Sequence, residues 1–372
     1  MEKSGKIILA VTMSVAMTTG FLHLVPGAAG WNFERLHVFL FNLCTGGSVL
    51  LYHSGGRRRI TAAPALFFAG ALAYALCAFL GFYVAAMALA FALAGVVEYV
   101  RAARFSFFPA EFFSARAPAR EKFHHAALLC LSIALIASAL VIFNSEFVRL
   151  VAYPKLRLDV FFLGFSFPVS LMTMGLIFSL LAPAAASRYR VHTGLIFWSV
   201  TAGVIVFFAF ILVEAVYAQL FISIMLCASV AAMLIVFLRG TRDGQQRMLL
   251  ASGAGFIVLT GVTGVAYVLF KIYFLDEYPA TGKALLSLHS FISLYGWNLS
   301  GLLVVIREKE FPLAAGIRPA LALHWMIVLV LAPCGRESPV CAVIATAGFI
   351  VLLCRLLFAP GRDGGAHSNL NW

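Results

Sequence analysis

Glu34-Arg35-Leu36-His37-Val38-Phe39-Leu40-Phe41 and, 252 residues further on, Leu286-Ser287-Leu288-His289-Ser290-Phe291-Ile292 each put one histidine near the start of a long apolar run. Runs of this kind make up most of the chain. Of 372 residues, 63% are hydrophobic and 11% charged, with a mean hydropathy of +0.99. A soluble domain carries about 25% charged residues. The runs are close to the ~20 residues that an α-helix needs to cross a bilayer, and they lack the ~10-residue alternation of a membrane barrel. The fold class is therefore an all-α polytopic membrane protein. An ionisable ring inside such a run is costly and reads as functional.

Twelve spans follow, at roughly 7–27, 34–53, 61–82, 84–102, 124–144, 159–182, 194–214, 217–238, 248–270, 284–306, 319–333 and 339–358. Gly81-Phe82-Tyr83 is a minimal turn between the third and fourth. If the spans alternate from the N-terminus, one face receives only Arg35, Arg149, Lys155, Arg157, Lys271, Lys283 and Arg336, and the other receives the remaining 20 of the 27 basic residues. Basic loops stay inside. The expected location is a bacterial inner membrane with both termini cytoplasmic and with His37 and His289 near the outer face. Lys3 and Lys6 ahead of an apolar run resemble a signal peptide, but the length of that run favours a retained first helix. The net charge of +12 is accounted for by these loops, and no nucleic-acid-binding motif accompanies it.

Spans 2, 6 and 10 begin alike, with Leu36-His37-Val38-Phe39, Leu158-Asp159-Val160-Phe161 and Leu288-His289-Ser290-Phe291, and each leaves into a basic loop. The spacing is one four-helix unit each time. This suggests three repeats, about 7–123, 124–247 and 248–372, around an axis along the membrane normal, within one transmembrane domain.

Twelve helices in three four-helix arcs, with His37 and Gly46-Gly47 on the second and Leu288-His289 with Leu294-Tyr295-Gly296-Trp297-Asn298 on the tenth, resemble subunit I of heme–copper oxidases and the NnrS-like membrane proteins. The resemblance implies that His37 and His289 are the two axial ligands of one low-spin heme b. It also implies that Arg336 lies where propionate-binding arginines are kept; outward-pointing propionates would need partners, for which Arg35 and Trp297 are further candidates. It departs from the family at Ser287, where a high-spin heme ligand would stand, and at the copper histidines, which are absent: Phe167-Pro168 occupies the expected place on span 6. His124-His125 begins span 5 at the other face. No copper is expected, and reduction of oxygen or nitric oxide is not.

Independently of the resemblance, Glu34-to-His37 and Lys283-to-His289 spacings put the two rings within ~5 Å in depth at ~1.5 Å per residue, and neutral imidazole is an ordinary iron ligand. Gly46 and Gly47 let a macrocycle or a neighbouring helix come close. The expected role is electron transfer with a quinol or a periplasmic cytochrome, or redox handling or sensing of a diatomic gas. The alternative is a cofactor-free transporter, or an assembly or structural subunit of a respiratory complex, with the histidines as interhelical hydrogen bonders.

Among the other polar residues, His23 reads as an interfacial hydrogen bonder, with a second-shell or alternative ligand as the other reading, and Glu98 as snorkelling or pairing with Arg101. Asp159 reads as a partner of Arg157 or a helix cap, with a proton or ion entry as the alternative, and Glu214 as a solvated helix end, with a quinone- or proton-linked carboxylate as the alternative. His53, His192 and His324 read as interfacial, with a second heme on two of them as the alternative. Cys334 and Cys341 are spaced for a small loop disulfide; the other five cysteines read as core residues. No Cys-x-x-Cys-His, P-loop, dinucleotide or zinc motif is present.

Overall fold

The computed structural model describes residues 1–55, 62–151, 164–314 and 316–361. Eleven of their helices are long and apolar enough to span a membrane: α1 (Lys3–Leu24), α2 (Phe33–Ser54), α3 (Ala62–Leu80), α4 (Tyr83–Arg104), α5 (Ala119–Val148), α7 (Arg190–Leu212), α8 (Val216–Gly240), α9 (Gln245–Tyr273), α10 (Pro279–Glu310), α11 (Ile317–Gly335) and α12 (Pro339–Phe358). A shorter apolar helix, α6 (Gly164–Ser179), lies between α5 and α7 in the chain. The chain is an all-α polytopic membrane protein, and the described helices fall on the twelve expected spans. Asp159 and the Leu158–Phe161 motif lie outside the described residues.

Several helices run past their apolar cores. α5 begins at Ala119 rather than 124 and α10 at Pro279 rather than 284. In α5 the extra turn is held because the Lys122 ammonium donates to the Phe112 carbonyl at 3.0 Å. In α10, proline takes the first helical position, where its missing N–H costs nothing. Gly81 adopts φ +82° between α3 and α4, the left-handed geometry that lets two antiparallel helices join through two residues.

α2, α6 and α10 all touch one another, and the other helices surround them; α12 closes back onto α1. α2 and α10 are the most deeply enclosed of the long helices. Both pack closely against their neighbours because small residues face large ones. A Cβ on Gly46 would collide with Val169 of α6, one on Gly47 with Phe67 of α3, and one on Gly301 with Thr173 of α6. Neighbouring helices therefore occupy the space that Gly46 and Gly47 leave.

Asn298 of α10 is the polar hub of this core. Its amide donates to Asn42 Oδ1 of α2 at 3.2 Å and to Ser166 Oγ of α6 at 3.1 Å, and its carbonyl accepts from Ser170 Oγ at 2.8 Å. Asn298 is fully buried and Asn42 1% exposed. The hub binds together the three helices that begin alike in sequence.

Both α2 and α10 widen into π-helical stretches, Phe39–Gly47 and Ile292–Asn298, just beyond their histidines. A π-turn carries an extra residue and leaves backbone groups to be satisfied elsewhere. His324 of α11 supplies one donor: its Nε2 lies 2.6 Å from the Tyr295 carbonyl. His324 is fully buried against Phe256. It is a core residue and not the interfacial one its sequence position suggests. At the end of α10, Arg307 donates to the Leu357 and Ala359 carbonyls of the α12 terminus and pairs through Nε with Glu310 at 2.8 Å, while Lys6 of α1 also pairs with Glu310.

Candidate functional site

The α2 histidine is set by a capped helix start. Asn32 Oδ1 accepts from the Arg35 backbone N–H at 2.9 Å, fixing where the helix begins. His37 then points between α1 and α10. Its Nδ1 lies so close to Gly20 that a Cβ there would stand 2.6 Å away. Its ring meets Tyr295 edge-on at 5.8 Å between centroids and Phe291 at 6.4 Å. His37 Nδ1 and Tyr295 Oη are both buried without a hydrogen-bond partner.

His289 faces elsewhere. Its ring packs over Gly264 of α9, where a Cβ would stand 3.2 Å from Cε1, and its Nδ1 lies 3.3 Å from Thr263 Oγ1. Phe291, two residues on and so about 200° around the helix, is the residue that reaches His37. The α10 surface turned to His37 is thus Phe291 and Tyr295, and His289 looks towards α9. The residues fit poorly as two ligands of one iron, because the two imidazoles are directed at different neighbours.

His289 has a hydrogen-bond partner behind its ring. Thr263 Oγ1 gives its own hydrogen to the Leu259 carbonyl at 2.9 Å, so towards His289 it accepts. That puts the imidazole proton on Nδ1 and leaves a lone pair on Nε2. Metal-bound histidines are oriented in this way by an acceptor behind the ring. Among the described residues, nothing accepts from His37 Nδ1.

The expected propionate partners are spread out. Arg35 donates to the Ala78 carbonyl of α3 at 3.3 Å. Arg336 reaches back from the α11–α12 turn to the Lys283 carbonyl at 3.2 Å, on the His289 helix. Trp297 is fully buried against Gly253 of α9 with Nε1 unpartnered. At ~1.5 Å per residue it lies ~12 Å further along α10 than His289, deep in the bundle and away from the rim. Of the three, Arg336 is the one held against α10 near His289.

His23 lies between two carbonyls, with Nδ1 3.1 Å from that of Gly20 and Nε2 3.0 Å from that of Arg336, in reach of a hydrogen bond on either side. Glu98 pairs with Arg101 as expected. Arg101, 2% exposed, also donates to His125 Nε2 at 2.9 Å. His53 is buried at the end of α2, stacked on His124, while His192 is exposed beside Tyr189. Cys334 and Cys341 are both free thiols.

Thr263, Gly264, Ser166 and Ser170 carry the geometry around His289 and Asn298, and none of them draws attention in the sequence. A lone Asn in the α2 run is the one signal available. No family model matches the chain, and no curated protein sequence matches it.

Proposed function

We propose that this is a heme-binding multi-pass protein of a bacterial inner membrane, with both termini cytoplasmic, in which His289 is the axial ligand. The observation that carries the reading is the Thr263 acceptor behind His289, which leaves the lone pair on Nε2 of a ring packed over Gly264 of α9. Absence of a Cys-x-x-Cys-His attachment motif favours heme b held without covalent links. Arg336, tied to the Lys283 carbonyl, is the candidate cation for a propionate. The charge division between the two faces supports the orientation.

A heme bound here would supply a ferrous iron able to take up a diatomic gas or pass one electron. With His37 turned to Tyr295, His289 is the one imidazole of the pair that would hold the group. This favours binding or sensing of a gas over bis-histidine electron transfer. A quinol or a periplasmic cytochrome is the class of reductant suited to the site.

Reduced-minus-oxidised spectra of the protein purified from heme-replete cells test the reading. A b-type Soret and α-band that shifts with carbon monoxide is expected. The band should vanish in His289→Ala, weaken in Thr263→Val, and persist in His37→Ala. Loss in both histidine variants with no carbon monoxide shift would restore the bis-histidine arrangement. A featureless spectrum would favour the second reading, a cofactor-free transporter or respiratory-complex subunit. Two features support that alternative: the buried Asn42–Asn298–Ser166–Ser170 cluster, and Pro168 inside α6.

A further inference from the structure

The loop joining α4 to α5, residues 105–118, folds back along the outside of the bundle. The Phe105 ring stacks on His125 of α5, centroids 4.6 Å apart at 6°. Phe112 meets Phe197 of α7 edge-on at 5.2 Å, and Phe113 lies 5.3 Å from Trp198. α5 starts at Ala119 and α7 at Arg190. At ~1.5 Å per residue these partners stand roughly 10 Å into their helices, where the apolar runs have begun.

Three aromatic rings of the loop point outward at this level. Phe107 is 83% exposed, Phe108 67% and Phe113 70%. The loop's one carboxylate, Glu111, turns inward, 3.4 Å from His125 Nδ1.

The backbone gives a second, independent observation. Every carbonyl from Ser106 to Phe112 has a donor of this chain within 3.2 Å, although only Ala110–Phe112 form a helical turn. Arg101 Nη1 lies 3.2 Å from the Ser106 oxygen and 2.9 Å from that of Phe107. The N–H groups of Ala110, Phe112, Phe113 and Ser114 donate to Phe108, Pro109, Ala110 and Glu111. The Lys122 ammonium donates to Phe112. Water completes the carbonyls of a solvated loop; in lipid the chain must complete them itself.

We propose that this loop is a membrane-interface element, with Phe107, Phe108 and Phe113 set into the acyl–headgroup boundary of the leaflet beside it. Segments with an apolar aromatic face sink ~5–10 Å into that boundary. From Arg101 to Lys122, five basic residues stand against two acidic ones, a balance that draws the segment to anionic headgroups. Naming the leaflet as the cytoplasmic one rests on the orientation proposed above; the insertion itself does not.

The test uses the full-length protein in vesicles of phosphatidylglycerol and phosphatidylcholine. Its seven cysteines are replaced by alanine or serine, and a nitroxide is attached to Phe107→Cys. Oxygen, which concentrates in lipid, and a water-soluble nickel chelate are compared as relaxing agents. The oxygen-to-nickel ratio at 107 should exceed, by about threefold or more, that at Gly244→Cys in the α8–α9 loop, where a Cβ meets open space. Should the cysteine-free chain not fold, Phe107→Trp in the otherwise unchanged protein gives the same reading: its added emission should be quenched by acyl-brominated phosphatidylcholine and not by iodide. Equal ratios at 107 and 244, or quenching of the added tryptophan by iodide alone, would overturn the proposal. Lipid contact at 107 together with labelling of Cys334 from the cytoplasmic side would uphold the insertion and move it to the other leaflet.

Discussion

Asn298 reaches across the bundle to Asn42, amide to carbonyl at 3.2 Å, although 256 residues separate them in the chain. The same side chain engages two serines of α6. Asn298→Ala should lower stability by about 1–2 kcal/mol, the upper part of the range for interhelical bonds in membranes. Asn42→Ala, which removes one of these bonds, should cost about 0.5–1 kcal/mol. Denaturant titration in mixed micelles measures both. Equal losses would mean that Asn298 is not the hub.

The Gly301–Thr173 contact predicts a steric phenotype. Gly301→Ala drives a methyl into the Thr173 side chain, an overpacking that costs about 1–3 kcal/mol. Thr173→Ala removes the obstructing atoms, so the double variant should be more stable than Gly301→Ala alone. Additive losses in the double-mutant cycle would show that the two helices can simply part.

His324→Phe fills the same space but withdraws the donor from the Tyr295 carbonyl. The expected loss is about 1–3 kcal/mol for an unsatisfied buried acceptor, seen as earlier thermal unfolding. Hydrogen–deuterium exchange should rise locally across 292–298. A variant as stable as wild type would imply that water replaces the imidazole.

The Glu111 carboxyl is held below the usual carboxylate range, first by its own backbone N–H, then by the Ser106 hydroxyl and the nearby His125. A group whose folded pKa is depressed stabilises the fold above its unfolded value and ceases to do so as pH falls through the folded one. The contribution is therefore present at neutral pH and fades only on acidification below the ordinary carboxylate range. Glu111→Gln should flatten that acid limb and leave the alkaline limb unchanged; an unaltered acid limb would remove Glu111 from it.

Cys334 is an exposed free thiol in the turn between α11 and α12. A variant with Cys334 as its sole cysteine should be labelled by an impermeant maleimide in cells with a permeabilised outer membrane. Labelling only after detergent lysis would reverse the proposed orientation.

The path from sequence to fold was short here because hydrophobicity acts along the chain. A run such as Leu128–Ile142 must be a helix whatever its neighbours do, so spans could be read one at a time. Side-chain direction is a different kind of quantity. His37 and His289 open similar motifs, but the pairing expected of them depends on rotation about each helix axis. That rotation is fixed by distant contacts: Phe291 against His37, and Gly264 beneath His289. His324 misleads for the same reason, since its carbonyl partner exists only because α10 departs from regular helix. Glu98 and Arg101, three residues apart on one helix, paired as expected because local spacing suffices.

The widened stretch Ile292–Asn298 also works as a gear between the two ends of α10. Everything after it is turned relative to everything before it by the angle of one surplus residue, ~100°. Deleting a single residue there would keep the span apolar and long enough to cross a bilayer. It would nonetheless swing Asn298 off the central axis while His289 stayed put. Evolution could thus re-aim either half of this helix by one codon without disturbing the other.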